Sequence, residues 1–210
     1  MKKDYTHISV ILDRSGSMNA IKTEVIGGFN SFLEIQQKDE EQATLTLVQF
    51  DSANPYEVIH SFKPLKEIPK LTANTFVPRG LTPLLDAIGR GILDVNSFIK
   101  TLDKKERPEK VVFVIITDGQ ENNSREFTKA RVTDLIKKKT EKKNWQFVFL
   151  SADLNAIEDA KGYGISAKAT AGYMSNGFVF HRVFEEASSE VSSYRKSLKD
   201  KIELKKDEDK

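Results

Sequence analysis

Three short runs of almost unbroken apolar residues constrain this chain more than anything else in it. They lie at residues 5–12, with Ile8-Ser9-Val10-Ile11-Leu12 at the centre, at 111–117 and at 145–150. A strand that is apolar on successive residues must be covered on both faces, which in water means a largely parallel sheet with helices above and below it. Helical spacing fills the intervals. Residues 19–37 place Ile21, Val25, Phe29, Phe32 and Leu33 on one face, and residues 83–102 do the same with Leu85, Ile88, Ile92, Val95 and Ile99. A lysine-rich helix over roughly 125–143, a short one at 154–161 and a last short strand within 165–173 complete the alternation. Phe180, Phe184, Ala187, Val191, Tyr194, Leu198 and Ile202 then form the stripe of a long terminal helix, extended enough to overhang the sheet though expected to face the core.

One pair of runs breaks the parallel pattern. Residues 44–50 and 56–62 are joined by Asp51-Ser52-Ala53-Asn54-Pro55, too short a link for a crossover helix, so they should form an antiparallel hairpin. Pro64, Pro69, Pro78, Gly80 and Pro83 keep the next stretch irregular, and Pro83 suits the first turn of the helix that follows. Gly27-Gly28 inside a helix costs about 1 kcal/mol per glycine relative to alanine, which close packing against the sheet would explain. The expected fold is therefore α/β: Rossmann-like and doubly wound, with a mainly parallel central sheet, one antiparallel edge strand and helices on both faces. Residues 1–204 are expected to be one domain, and 205–210 a charged, disordered tail.

Composition removes several function classes. The chain has no cysteine, which rules out disulfides, thiolate nucleophiles and zinc–cysteine sites. Its 33 basic and 31 acidic residues nearly cancel, so nucleic acid is not an expected partner. The apolar run before Asp13 is too short for a signal peptide and no 18-residue apolar run occurs, so a cytoplasmic protein without membrane contact is expected.

Chemistry concentrates where strands end. Asp13-Arg14-Ser15-Gly16-Ser17 puts a carboxylate and two hydroxyls at the tip of the first strand, hard oxygen donors that suit Mg²⁺ or Mn²⁺. A second strand ends at Asp118. In doubly wound sheets ligands bind beyond the carboxyl ends of the strands, where the strand order reverses, so Asp13 and Asp118 converge if their strands are neighbours. Thr82, in Arg79-Gly80-Leu81-Thr82-Pro83-Leu84, is either a further ligand or a helix N-cap; its own chemistry leaves both open. Turn and cap chemistry is the plainer account of all these residues.

Asp13-x-Ser15-x-Ser17 after the first strand, Thr82 mid-chain and Asp118-Gly119 after a central strand together resemble the von Willebrand factor A domain. In that family these five positions form the metal-ion-dependent adhesion site. The resemblance spans about residues 5–200, early hairpin included, and residues 147–153 with the following helix look like the compact stand-alone bacterial and phage members. It implies that Ser15, Ser17 and Thr82 contact the metal directly, and that Asp13 and Asp118 do so directly or through water. A sixth position is left for water or for an acidic residue of a partner. The implied function is a metal-dependent protein-binding module of adhesion or scaffold type: a monomer with no catalysis and no small-molecule substrate, whose protein partner offers Asp or Glu. Arg14 and Met18 are expected on the solvent-facing rim, and Gly16 to allow a tight path between the serines.

The alternative is a Mg²⁺-dependent phosphatase-like hydrolase using Asp13. Enzymes resembling haloacid dehalogenase-type phosphatases need a second aspartate two residues on, as general acid; here that position is Ser15. No dinucleotide or P-loop glycine motif and no Gly-x-Ser-x-Gly elbow occurs. His7, expected before the first strand, His60 and His181 are dispersed, which argues against a catalytic cluster. Glu121-Asn122-Asn123, Asp153 and Asn155 belong to the same end of the sheet, in loop or cap roles, and the lysines of 137–143 form a solvated helix face.

Overall fold

The computed structural model describes residues 1–172 and 177–204. The three apolar runs become the neighbouring strands β1 (Lys2–Asp13), β4 (Pro108–Thr117) and β5 (Gln146–Ser151). The hairpin forms from β2 (Ala43–Phe50) and β3 (Glu57–Pro64), and β6 (Thr170–Gly172) is the short last strand. The sheet order is β3-β2-β1-β4-β5-β6. Every pairing is parallel except β2 with β3, which places the antiparallel strand at one edge, as the short connection requires.

Side-chain alternation along the strands divides the interior into two apolar layers. Ile8, Val10, Leu12, Val112, Val114, Ile116, Val148 and Leu150 face α1 (Lys22–Lys38) and α5 (Gly177–Arg195), meeting Val25, Phe29, Val183 and Phe184. Ile11, Phe113, Ile115, Phe147 and Phe149 face the other way. They pack on α2 (Leu84–Thr101), α3 (Lys129–Lys143) and α4 (Leu154–Gly162) through Ile88, Ile92, Val132, Ile136 and Ile157. Each such side chain contributes roughly 1.5–3 kcal/mol on burial, which is why the strands of continuous apolar character take the centre of the sheet. Among the described residues no helix is long and apolar enough to cross a membrane.

Several expectations need correction. The helix expected over 19–37 begins as a tight 3-10 turn at Gly16–Ile21, and regular helix starts at Lys22. The helix expected from 125 begins at Lys129, capped by the Thr128 hydroxyl, because residues 125–127 give their amides to Asp86 instead. Gly27 lies against α5, where a Cβ would meet His181 Cε1 at 3.4 Å, so at this glycine the neighbour is a helix. The terminal stripe is cut short at Arg195. Beyond it Ser197 takes a left-handed conformation (φ 57°), Leu198 is exposed, and the chain turns back to bury Ile202 and Leu204. At the stop lies the fully buried Arg195 guanidinium, which donates to the Gln36 and Glu41 carbonyls and pairs with Asp39 at 3.3 Å. The Phe180 side chain and the 205–210 tail lie outside the described residues.

His7 is also misplaced by the sequence. It stands inside β1, fully buried and stacked on Phe62 at 3.7 Å, with Nδ1 3.0 Å from Thr44 Oγ1 and, among the described residues, no hydrogen-bond partner at Nε2. Burial drives its pKa from 6.5 down to about 3, so the ring is neutral in the fold.

Candidate metal centre

From β1 the sheet grows in two directions, to β2 on one side and to β4 on the other, so the strand order reverses between β1 and β4. Asp13 ends β1 and Asp118 follows β4, which makes the two strands the neighbours that convergence requires. The sequence alone shows two aspartate-terminated strands; their adjacency is a property of the fold.

A chain of hydrogen bonds joins four of the five candidate residues. Ser15 Oγ lies 3.1 Å from Ser17 Oγ, and the Ser17 hydroxyl donates to Asp118 Oδ1 at 2.8 Å. Asp13 Oδ1 accepts the Ser15 amide at 2.7 Å, and its Oδ2 accepts the Thr117 hydroxyl at 2.6 Å. The candidates had not included Thr117; the hydroxyl just before Asp118 is the signal that points to it. Thr82 is buried and is held by its backbone: its amide donates to Asn122 Oδ1 at 2.8 Å, and its carbonyl accepts from the Asn122 amide at 3.2 Å. Asn122 therefore has the loop role expected of it, as a staple between the loop that precedes α2 and the loop that follows β4.

The loop after β1 and the loop before α2 are locked together just as closely. Gly16 N donates to Gly80 O at 3.0 Å and Arg79 N to Arg14 O at 2.8 Å. A Cβ on Gly16 would stand 3.3 Å from the Gly80 carbonyl oxygen, so the glycine serves this approach between loops as well as the path between serines. Gly80 itself has φ 70°, and the next amide, Leu81 N, donates to Ser52 Oγ at 2.9 Å.

Arg14 and Met18 depart from expectation, since neither is on the rim. Met18 is fully buried in the layer under α1. The Arg14 side chain folds back over the hairpin, where Nη2 reaches Asp51 Oδ2 at 2.7 Å and Glu57 Oε2 at 2.6 Å, and Nε reaches Asp51 Oδ2 at 2.8 Å. Burial by itself would raise the Asp51 carboxyl, but the Asn54 and Ala53 amides with Arg14 and Arg79 hold it below its ordinary value. A buried aspartate in the hairpin turn thus captures the arginine, and such a partner cannot be read from the local motif.

The consequence for the centre is electrostatic. The guanidinium next to Asp13 in sequence is committed elsewhere, and the Asp13 carboxylate is fully buried with hydroxyl and amide donors. Burial, with a smaller push from Asp118, raises its pKa from 3.8 to about 7 despite those hydrogen bonds. Asp118 is raised as well, by burial first and by Asp153 second, against the Ser17 hydrogen bond. Two carboxylates and neighbouring hydroxyls that share a need for positive charge are a donor set for a hard divalent cation. Among the described residues no three histidine, cysteine, aspartate or glutamate side chains gather as a metal site, so any cation here relies on the hydroxyls. A hydrolase is less well served: Ser15 Oγ, two residues beyond Asp13, faces another hydroxyl and offers no acid of useful strength.

The rim residues have mostly structural partners. Glu121 accepts the Leu85 amide at the start of α2 (2.8 Å) as well as the Asn123 and Ser124 amides, and Asp153 caps α4 while accepting Gln120 Nε2 at 3.0 Å.

No family model matches the sequence, and no curated protein matches it. Solved structures do. A von Willebrand factor type A protein from Catenulispora acidiphila superposes with a TM-score of 0.60 at 14% identity, over 90% of this chain and 43% of that one. Proximal thread matrix protein 1 from the mussel byssus, with a zinc-occupied MIDAS motif, gives 0.57 at 14% identity over 90% and 46% of the two chains. Manganese-loaded TRAP protein of Plasmodium vivax gives 0.57 at 15% identity over 86% and 75%. The chain spans less than half the length of the first two. Its fold is the von Willebrand factor A fold, with six strands, one of them antiparallel, and helices on both faces.

Proposed function

We propose that the carboxyl end of the sheet binds a divalent cation, Mg²⁺ or Mn²⁺, through Asp13, Ser15, Ser17, Thr82 and Asp118, and that the protein uses it to capture an acidic residue of a protein partner. The observation that carries this reading is a buried carboxylate, Asp13, joined through Ser15 and Ser17 to the half-exposed Asp118, with the neighbouring arginine turned away. Structures of the same fold hold zinc and manganese, which supports a divalent ion at this end of the sheet.

Each residue has a part. Asp13 and Asp118 supply charge, so that a divalent cation would be neutralised and still attract one more carboxylate. Ser15 and Ser17 supply neutral oxygens on a backbone fixed by Gly16 against Gly80. Thr82 is presented by the Asn122 staple. Thr117 donates to Asp13 Oδ2 and so would orient the carboxylate. When bound, the cation provides an open coordination position for the partner's carboxylate.

Titration calorimetry with MgCl₂ and MnCl₂ tests the site: the wild-type chain should bind one cation and Asp13→Ala should bind none, with circular dichroism unchanged. Capture of a partner that survives both EDTA and Asp13→Ala would sink the mechanism.

A further inference from the structure

Ion pairing is unevenly spread over this surface. Arg90, Lys129, Lys138, Lys161, Lys168 and Lys199 each reach a carboxylate. At the amino ends of β4 and β5, on the opposite side of the sheet from the metal centre, the pattern changes. Lys100, Lys104, Arg107 and Lys143 line a groove of about 340 Å³ whose apolar lining includes Ile99, Val111 and Trp145. Lys139 adjoins it, with Nζ 4.7 Å from the centre of the Trp145 ring. Among the described residues none of these five cations has a carboxylate partner within ion-pair distance. Arg107 donates to the Leu102 and Lys100 carbonyls at the end of α2, and Lys139 donates to Asn96 Oδ1. The one acidic side chain in the lining, Glu109, accepts the Asp4 amide at 2.9 Å.

The crowding has an electrostatic signature. Burial first, then Lys100 and Lys143, lowers the Lys139 pKa to about 8. Positive charge is held together here against a single carboxylate, Glu109, beside an apolar floor.

We propose that this groove is a second binding site, and that it takes an acidic protein segment carrying an apolar anchor. The anchor rests on the half-buried Ile99, above the buried Val111 and Trp145, while carboxylates of the segment meet the Lys100, Lys104 and Lys143 amines. Charge complementarity selects the anionic partner, and the apolar floor selects a peptide over a bare inorganic anion, which would leave that floor wet. Nucleic acid is the poorer match, because the lining offers a run of bases no exposed aromatic face to stack on. Exposed ion pairs contribute little singly, so several must act together, and salt must weaken the complex. The site stands independently of the metal centre. With both in use, the domain would bridge two acidic segments from opposite ends of one sheet.

Fluorescence anisotropy tests the site, with a short fluorescein-labelled peptide rich in glutamate and containing two phenylalanines, in low-salt buffer with EDTA throughout. EDTA removes any contribution from a metal-held carboxylate, so the two readings fail separately. Saturable binding is expected, weakened about tenfold or more by the double change Lys100→Glu with Lys143→Glu and by exchange of the phenylalanines for serine. Both lysines are exposed, and a thermal melt checks that the doubly changed protein still folds. NMR titration of the Lys139 amine should show its pKa rising when the peptide binds. The proposal is overturned if the peptide fails to bind at low salt or if charge reversal leaves its affinity unchanged. Equal binding by a phenylalanine-free peptide or by a single-stranded oligonucleotide also overturns it.

Discussion

Asp13→Asn separates the electrostatics of the centre from its shape. The amide is nearly isosteric: its oxygen still accepts from the Ser15 amide, and the Thr117 hydroxyl needs only to rotate so that it accepts instead of donating. What disappears is the buried negative charge. In the wild-type fold this carboxyl titrates near 7 in place of 3.8, so over that interval the folded state keeps a proton that the unfolded chain has released. For a group raised in this way, the stability it contributes is complete below pH 3.8 and is lost as the pH rises towards 7. At about 1.36 kcal/mol per pH unit, the cation-free protein loses roughly 2–3 kcal/mol from this group between about pH 5 and about pH 7. Asp13→Asn should not show that loss. The cation should reverse the order, since at about a hundredfold excess over Kd it adds about 2.7 kcal/mol to a protein that binds it and little to one that does not. Urea unfolding followed by circular dichroism, at the two pH values, in EDTA and then in excess MgCl₂, measures all four quantities. The reasoning fails if wild type and variant lose stability equally with rising pH in EDTA, or if both gain equally from the cation.

His7 titrates in the opposite sense. Its folded pKa near 3 lies below the ordinary 6.5, so the unfolded chain takes up a proton first and stability falls as the pH drops below 6.5. From about pH 6 to about pH 4.5 the loss is roughly 2 kcal/mol; His7→Phe, which keeps the stack on Phe62, should lose that much less in urea unfolding, and an equal loss would refute it. Asp51→Ala removes the main anchor of the buried Arg14 guanidinium and should cost about 3 kcal/mol by the same assay, with under about 1 kcal/mol as the contrary result. At Gly89 on α2, a Cβ would overlap the Phe127 ring. Gly89→Ala should therefore cost about 1–3 kcal/mol, and an unchanged melting temperature would show that the 124–127 loop gives way freely.

What the sequence disclosed was whatever depends on local pattern. Unbroken apolar strands, helical spacing and a hairpin link too short for a crossover lead to the sheet and its antiparallel edge. Asp13, Ser15, Ser17 and Asp118 were visible because strand ends can be read and the doubly wound rule says where they meet. The missed features depend on partners remote in sequence. Arg14 looks like rim in its motif, but its place is decided by Asp51 and Glu57 in the hairpin. Gly27 looks like sheet packing until α5 is seen lying across it. The terminal stripe continues to Ile202 in sequence, yet the helix stops where Arg195 is pinned to Gln36, Asp39 and Glu41. Thr82 remained ambiguous since a hydroxyl before proline serves equally well as cap or ligand; its fixed position comes from Asn122.

The loop at 121–127 and the first turn of α2 exchange hydrogen bonds in both directions. Glu121 and Ser124 accept the Leu85 and Asp86 amides, while the Asp86 carboxylate accepts the Arg125, Glu126 and Phe127 amides at 2.8–2.9 Å. Irregular backbone is thereby given the rigidity of a helix end, directly beside the proposed metal centre. If the proposed partner docks there, these bonds would already hold the surface it meets in place. Little chain entropy is lost on association, so orientation and charge would govern the encounter rate, and selectivity would rest on fit to a fixed contour.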